Sequence, residues 1–220
     1  MGLTRFGLRE WLTITIVMAV AVTAFLWLGW WWAVPVVVLL WLALVSFFRD
    51  PWRRIPTHLS PGTMLSPADG TVSAVEQVES HEAIGGPATI VRIFLSVLNV
   101  HINRAPCAMV VQELIYRPGK FLDARTSESA QVNESNLVIA CTEDEEHIGV
   151  RQVSGKIARR IVCPLKPGDT LQRGQRYGMI KFGSTTELIL PRPDDVDVRV
   201  SPGDRVQGGL TVLAVLRTAR

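Results

Sequence analysis

The sequence is poor in cysteine, and the few cysteines it has are not spaced for disulfides or metal. It contains Cys107, Cys141 and Cys163 in 220 residues, with no Cys-x-x-Cys pair. This odd number predicts neither a disulfide framework nor a zinc site, so no metal is expected. A basic patch interleaved with aromatic residues is also lacking, and the net charge is only +3. The sequence therefore indicates no nucleic-acid partner.

Charge is absent from a long stretch near the N-terminus, where the 38 residues 11–48 include no Asp, Glu, Lys or Arg. A membrane-spanning helix needs about 20 apolar residues. The run therefore predicts two transmembrane helices, at about 11–30 and 31–48, in an anchor of residues 1–50. A break is available at residues 29–32, before Pro35. A single long tilted helix and a buried core hairpin are the alternatives. A signal peptide has a shorter apolar region, of about 7–15 residues.

Arginines flank both ends of this run. Arg5 and Arg9 precede it, and Arg49, Arg53 and Arg54 follow it. Positive charge is retained on the cytoplasmic side of membranes. We therefore expect a protein of the cytoplasmic membrane, with both ends of the hairpin and the domain 51–220 facing the cytoplasm.

Residues 51–220 have the pattern of a β domain. Short runs rich in β-branched residues alternate with Gly and Pro turns, which is typical of a sandwich or barrel. The predicted strands are 71–78, 89–95, 109–116, 137–142, 148–153, 157–162, 177–181, 187–190, 196–200 and 210–216.

A faint repeat refines the expected architecture. Residues 167–174, Pro-Gly-Asp-Thr-Leu-Gln-Arg-Gly, are echoed 35 residues later by residues 202–209, Pro-Gly-Asp-Arg-Val-Gln-Gly-Gly. Each copy is a Pro-Gly-Asp turn followed by an apolar residue and then by glycine. Such paired turns resemble the barrel-sandwich hybrids of biotinyl and lipoyl carrier domains. The fold predicted is mainly β, with a barrel-sandwich-hybrid-like soluble domain after the helical hairpin.

Gly183 and Ser184 lie between two of the predicted strands. A Gly-Ser turn can break its own backbone, because the serine hydroxyl attacks the preceding carbonyl and the amide becomes an ester. Elimination then leaves a pyruvoyl group on the downstream chain. The ordinary alternative is a hairpin turn in which the serine satisfies a backbone N–H.

Three segments support the first interpretation. They are Ser-Pro-Ala-Asp-Gly-Thr-Val at 66–72, Phe-Leu-Ser-Val-Leu-Asn-Val-His-Ile-Asn-Arg-Ala-Pro at 94–106, and Phe-Gly-Ser-Thr at 182–185. Together with Phe-Phe-Arg-Asp-Pro at 47–51, the chain resembles the phosphatidylserine decarboxylases of the short, membrane-anchored kind. The resemblance covers nearly the whole chain.

The resemblance implies a reaction and a set of residues. It implies self-cleavage between Gly183 and Ser184 into chains 1–183 and 184–220, which stay together as a heterodimer. Ser184 would become a pyruvoyl cofactor that forms a Schiff base with a serine phospholipid. Decarboxylation would then give a phosphatidylethanolamine-type lipid. His101 occupies the family's catalytic acid-base position, Asp69 supports self-cleavage, and Thr185 and Arg104 are candidate supporting residues.

The chain departs from the family pattern in two places. Arg104 stands where longer members carry a second histidine that serves self-cleavage, so the processing base is open between His101, Asp69 and water. Residues 133–136 read Asn-Glu-Ser-Asn where the family often has Asn-Glu-Arg-Asn. A headgroup contact from elsewhere is then expected, and the candidate cations are Arg117, Lys120 and Arg125.

Two other functions compete with a decarboxylase. One is a non-enzymatic, membrane-anchored carrier or adaptor with a lipoyl-like barrel, for which Lys181 is a conceivable attachment site without the usual Met-Lys-Met signature. The other is a degenerate family member that never cleaves, for which Arg104 is the only support.

Overall fold

The computed structural model describes residues 2–123, 132–155, 160–181 and 184–217. Two compact units are present, Met1–Trp52 and Arg53–Arg220. The first is built on helices and the second on β-strands. The prediction of a mainly β fold preceded by an apolar helical hairpin is confirmed.

The N-terminal unit contains helices α1 (Leu8–Trp27) and α2 (Val34–Ser46), with 3-10 turns at Arg5–Gly7 and Trp31–Ala33. Short strands β1 (Gly2–Leu3) and β2 (Arg49–Asp50) pair where the hairpin begins and ends. The helices are joined by a hydrogen bond of 3.0 Å from Trp41 Nε1 to Thr15 Oγ1.

One helix of this unit, Arg5–Trp27, is long and apolar enough to cross a membrane by length and composition. No residue of α1 is buried, so its apolar side chains face outward, as they would towards lipid. The second apolar helix, Trp31–Ser46, is shorter than a typical span. The chain reverses at Gly29, whose φ of +76° lies in the left-handed region that favours glycine.

The second unit is organised around an antiparallel sheet that curls into a half-barrel. Its eight strands are, in spatial order, β11 (Thr170–Leu171), β7 (Met109–Arg117), β8 (Ser135–Thr142), β9 (His147–Val153), β13 (Ser184–Pro191), β5 (Gly86–Leu95), β4 (Gly70–His81) and β15 (Arg205–Val206).

Two small antiparallel sheets complete this unit. One consists of β10 (Arg160–Val162), β12 (Arg176–Lys181) and β6 (Ile102–Arg104), and the other of β14 (Val196–Val198), β16 (Val212–Leu216) and β3 (Thr63–Leu65). A 3-10 turn, Pro193–Asp195, precedes β14. The main core is formed by buried residues from the large sheet together with residues such as Met64, Tyr177 and Leu213.

The ten predicted strands correspond to observed strands, with shifted ends. Residues 157–159 of one prediction lie outside the described residues, and the strand there is Arg160–Val162. Three observed strands extend three residues beyond the prediction at one end, since β4 ends at His81, β5 begins at Gly86 and β13 begins at Ser184. Ser184 and Thr185 therefore belong to a strand, whereas the sequence favours a turn.

The sequence repeat corresponds to an approximate two-fold arrangement. Segment 202–209 binds the segment 66–72, and segment 167–174 binds the segment 105–111 in the same way. The matching backbone hydrogen bonds are Gly203 N to Val72 O, Gly168 N to Val111 O, Gly209 N to Ser66 O and Gly174 N to Ala105 O, each 2.8 Å. The two turns meet, since a Cβ added to Gly209 would lie 3.6 Å from the Cα of Gly174.

Candidate active site

Ser184 lies at the start of an interior strand of the large sheet. Its partner on β5 is Leu95, the last residue of that strand. The side chain is fully buried, and Oγ makes no hydrogen bond to the described part of the chain. Buried hydroxyls normally have a partner, so this oxygen is a candidate for a functional role. Phe182 and Gly183, the upstream side of the predicted cleavage bond, lie outside the described residues.

His101 lies on the connection between β5 and β6 and is fully buried. Its Nδ1 is 2.9 Å from the backbone oxygen of Asn99. A carbonyl oxygen only accepts, so Nδ1 donates this hydrogen bond and carries a proton. The carbonyl of His101 accepts a bond of 3.2 Å from the Ile180 amide, near the end of β12. His101 is therefore linked to the surroundings of Ser184 in two ways. It follows Leu95, the β5 partner of Ser184, by six residues, and its carbonyl binds the amide of Ile180, four residues before Ser184.

A rigid apolar turn separates Leu95 from His101. Asn99 Oδ1 accepts hydrogen bonds of 2.8 Å from both the backbone N and the Oγ of Ser96, and Asn99 N donates to Ser96 O at 2.9 Å. The turn presents Val97 and Leu98 to solvent, and Leu98 is 84% exposed. An apolar tip therefore adjoins the strand end that holds Ser184.

Asp69 is held by a buried ion pair. Arg53 Nη1 and Nη2 donate to Asp69 Oδ1 and Oδ2 at 2.6 and 2.7 Å, and Gly208 N donates to Oδ1 at 2.8 Å. The two side chains are only 7% and 12% exposed. Three of the four lone-pair positions of this carboxylate are therefore occupied. Such a carboxylate is suited to fixing the local backbone.

Asp69 and Ser184 lie at the same end of the large sheet. Thr71 on β4 pairs with Phe94 on β5, and Phe94 pairs with Thr185 on β13. Gly70 lets β4 approach β5 here, since a Cβ on this residue would lie 2.2 Å from the Phe94 carbonyl oxygen. Asp69 therefore supplies the ion pair, and Gly70, the next residue, allows the close approach of β4 to β5.

Arg53 is a correction to the sequence interpretation, which counted it among the cations flanking the membrane run. In the structure its guanidinium is bound to Asp69 and to the carbonyl of Gly208. This arginine therefore also serves as the counter-ion of Asp69 within the β unit.

The two candidate supporting residues have different positions. Thr185 is buried, and successive strand residues alternate, so its side chain projects to the opposite face from Ser184. Arg104 is buried beside β12, where Nη1 donates to the Gly174 carbonyl at 3.0 Å. Arg104 therefore holds one of the two Pro-Gly-Asp turns in place.

A chain of buried amides, which the sequence interpretation missed, connects the strands around the site. Asn136 Nδ2 donates to Gln152 Oε1 at 3.1 Å, Gln152 Nε2 to Asn103 Oδ1 at 2.8 Å, and Asn103 Nδ2 to Thr186 Oγ1 at 3.0 Å. This chain fixes β6, which follows His101, against β13, which begins at Ser184. A signal existed in the sequence, because Gln152 is an amide within the predicted strand 148–153, which also contains the apolar Ile148, Val150 and Val153.

Of the three cations expected to contact a headgroup, the structure describes Arg117 and Lys120, and both are exposed. Arg117 forms a bidentate ion pair with Glu82 on the exposed side of the protein. Lys120 is exposed and bridges to Asn133 through its backbone. Arg125 lies outside the described residues. Cys107 is no competing nucleophile, because burial raises the pKa of its thiol to about 12.

Known proteins resemble this chain over most of its length. The profile of the family described as phosphatidylserine decarboxylase matches residues 41–214. A phosphatidylserine decarboxylase proenzyme of Rhodopirellula baltica is 45% identical over 215 residues, which are 96% of this chain and 86% of the relative. The proenzyme of Desulfotalea psychrophila is 46% identical over 76% of each chain, and that of Solidesulfovibrio magneticus 40% identical over 94% of each.

The Arg53–Asp69 pair yields a stability prediction. Asp69→Asn should lower the free energy of unfolding by about 3–5 kcal/mol, because it leaves the buried Arg53 guanidinium without its countercharge. Circular dichroism during urea titration in detergent measures the change. The matched control is Asp197→Asn, which breaks the exposed pair with Arg199 and should cost no more than about 1 kcal/mol. Equal, small losses in both variants would show that the buried pair does not hold this region.

Proposed function

Since this chain belongs to the phosphatidylserine decarboxylase family, we propose that it decarboxylates a serine phospholipid by means of a pyruvoyl group made from its own Ser184. The product is the corresponding ethanolamine lipid, with carbon dioxide as the leaving group. The observation that carries the proposal is the buried and unpartnered Oγ of Ser184 at the start of β13.

Self-cleavage uses the groups at this sheet end. Ser184 Oγ attacks the carbonyl carbon of Gly183, and an ester replaces the amide. Removal of the Ser184 α-proton breaks the Cβ–Oγ bond and frees residues 1–183 with a carboxylate end. One water then replaces the former amide nitrogen, which leaves as ammonia, and a ketone remains at residue 184. Asp69 acts mainly in this maturation, because its ion pair holds the neighbouring backbone rigid.

The pyruvoyl ketone supplies an electron sink that ordinary side chains lack, since it condenses with the substrate amine and delocalises the electron pair left after loss of carbon dioxide. The fit of Ser184 to this role rests on its burial, which excludes water, and on the open hydrogen-bonding capacity of its oxygen. We assign His101 as the proton donor to the substrate α-carbon. Its Nδ1 is fixed by Asn99, so Nε2 is the nitrogen that exchanges the proton.

The surroundings of the site suit a lipid. Val97 and Leu98 are exposed on a turn that leads directly from the partner of Ser184 to His101. Apolar side chains at this position would contact the acyl region while the headgroup reaches the strand end. The carrier alternative is disfavoured by Lys181, which is only 6% exposed and therefore poorly placed to bear a swinging cofactor.

The first prediction from this proposal concerns maturation. Ser184→Ala should remain one chain of 220 residues, whereas the parent should give a chain 1–183 and a blocked chain 184–220. The reason is that alanine has no oxygen to form the ester. Intact-mass spectrometry of purified protein measures the result, with the exposed Ser201→Ala as a control that should split normally. A Ser184→Ala protein that still breaks at this bond refutes the proposal.

The second prediction separates maturation from turnover. His101→Ala should lower lipid decarboxylation by about 10²–10⁴-fold, the usual contribution of a positioned acid or base. Release of carbon dioxide from micellar substrate is the measurement, and the exposed His147→Ala should keep the parent rate. Cleavage without turnover assigns the processing base elsewhere, with Asp69 first to be examined. Parent-like cleavage and turnover would make His101 only a core residue.

The third prediction concerns topology. We propose that both ends of the hairpin and the whole β unit lie on the cytoplasmic side of the cell membrane. Reporter fusions at residue 31 and at the C-terminus should then report opposite sides, because Arg5, Arg9, Arg49 and Arg54 keep both helix ends inside. Signals from the same side would replace the two-span hairpin by a segment that does not cross twice, as the shorter α2 also allows.

A further inference from the structure

Three buried polar atoms that lack a hydrogen-bond partner within the described residues belong to neighbouring residues at one end of the large sheet. They are Ser184 Oγ, Ser154 Oγ and Glu134 Oε2. The two serines are fully buried and Glu134 is only 8% exposed. Native cores leave few such atoms, so three together indicate a ligand that satisfies them. The proposed function uses only Ser184 and leaves the other two unexplained.

The strand register places these residues in one row. Thr185 pairs with Val153, so Ser184 lies opposite Ser154, the residue after β9. On the other side, Ser154 N donates to Glu134 O at 2.9 Å, which continues the pairing of β9 with β8. The row therefore runs Ser184, Ser154, Glu134 across three adjacent strands.

The next row along the sheet shows which face these side chains occupy. Thr186, Gln152 and Asn136 lie two residues further along the same strands, and their side chains meet around Asn103 on the inner face. Residues two apart in a strand share a face. Ser184, Ser154 and Glu134 therefore also point inward. The inner row is fully hydrogen-bonded, whereas the row at the rim has unused capacity.

The chemistry of this rim row selects a cation. A carboxylate oxygen accepts hydrogen bonds and repels anions, so the phosphate and carboxylate of a serine phospholipid are excluded from Glu134 Oε2. The one cationic group of that headgroup is its primary ammonium, which has three N–H donors. Two of them can be accepted by Glu134 Oε2 and Ser154 Oγ.

Glu134 is held in position for this contact. Tyr116 OH donates to its other oxygen, Oε1, at 2.9 Å, and this bond raises the pKa of the Tyr116 phenol. Its backbone N donates to Lys120 O at 3.0 Å. Neighbouring strands are about 4.8 Å apart, so the backbone of Glu134 lies about 10 Å from that of Ser184. The Tyr116 bond engages Oε1 on the β7 side of β8, which leaves Oε2 as the oxygen of this carboxylate for a ligand.

We propose that Glu134 and Ser154 bind the primary ammonium of the substrate headgroup and hold its nitrogen beside residue 184. Glu134 is then the headgroup contact, in place of Arg117, Lys120 or Arg125. This inference rests on the proposed function and adds the group that positions the amine for capture.

The test measures amine capture by the mature protein. Parent protein, Glu134→Gln and the control Glu113→Gln, which alters an exposed glutamate of β7, are each titrated with a short-chain serine phospholipid in the presence of cyanoborohydride. Intact mass of the chain 184–220 gives the captured fraction. Hydroxylamine, which is uncharged at neutral pH and needs no carboxylate to bind it, reports separately whether the ketone is present.

We expect Glu134→Gln to split and to react with hydroxylamine like the parent. Half-capture of the serine phospholipid should need about 10- to 100-fold more lipid, as for the loss of one charge-assisted hydrogen bond. Glu113→Gln should match the parent. Unchanged capture in Glu134→Gln overturns the inference and leaves the proposed function intact.

Two further outcomes would have other meanings. A Glu134→Gln protein that folds but does not split would place Glu134 in maturation and overturn the ammonium assignment. A parent protein that neither splits nor reacts with hydroxylamine would instead refute the proposed function. Should Glu134→Gln not fold, Ser154→Ala and Tyr116→Phe make the same comparison. Both should weaken capture several-fold, and unchanged capture in both would overturn the inference.

Discussion

The register of β13 between β5 and β9 is the constraint on which the site depends, since a slip by one residue would turn Ser184 to the other face of the sheet. A buried ion triad fixes this register. Glu187, fully buried three residues beyond Ser184, accepts bonds of 2.7 Å from Arg92 on β5 and from Arg151 on β9. Burying a carboxylate is costly unless its partners are in place, so any other register leaves a charge unpaired.

The same register explains why reactive and structural polar groups lie so close together. The face that carries Ser184 also carries Thr186, whose hydroxyl is bound by Asn103 within the amide chain. Fully satisfied amides stiffen the sheet behind the site. The row of Ser184, Ser154 and Glu134 lies two residues nearer the end of the sheet and has unsatisfied atoms. Each such atom destabilises a folded protein by about 1–3 kcal/mol. The large apolar core beneath the sheet offsets that cost, and the proposed function assigns Ser184 of this row to the maturation chemistry.

The two halves of the approximate two-fold arrangement share a backbone pattern, but only the half that contains Asp69 has the buried ion pair. Segments 66–72 and 105–111 bind equivalent Pro-Gly-Asp turns, yet Asp69 in the first corresponds to Ala108 in the second. The ion pair with Arg53 therefore exists once. The duplicated turns supply rigidity at both places, and a single carboxylate at one of them marks the end of the sheet where Ser184 lies.

The sequence alone predicted the apolar hairpin and the strands, which depend on local periodicity and turn residues, and its short motifs indicated Ser184, His101 and Asp69 as candidate site residues. The predicted strand 109–116, for example, is Met109–Arg117 in the structure. Only the tertiary structure showed that Arg53 neutralises Asp69, which a count of flanking charges does not reveal. It also decided that Glu134, Ser154 and Ser184 form one row. Residues so far apart in the chain become neighbours through strand register, which long-range contacts set and no local pattern encodes.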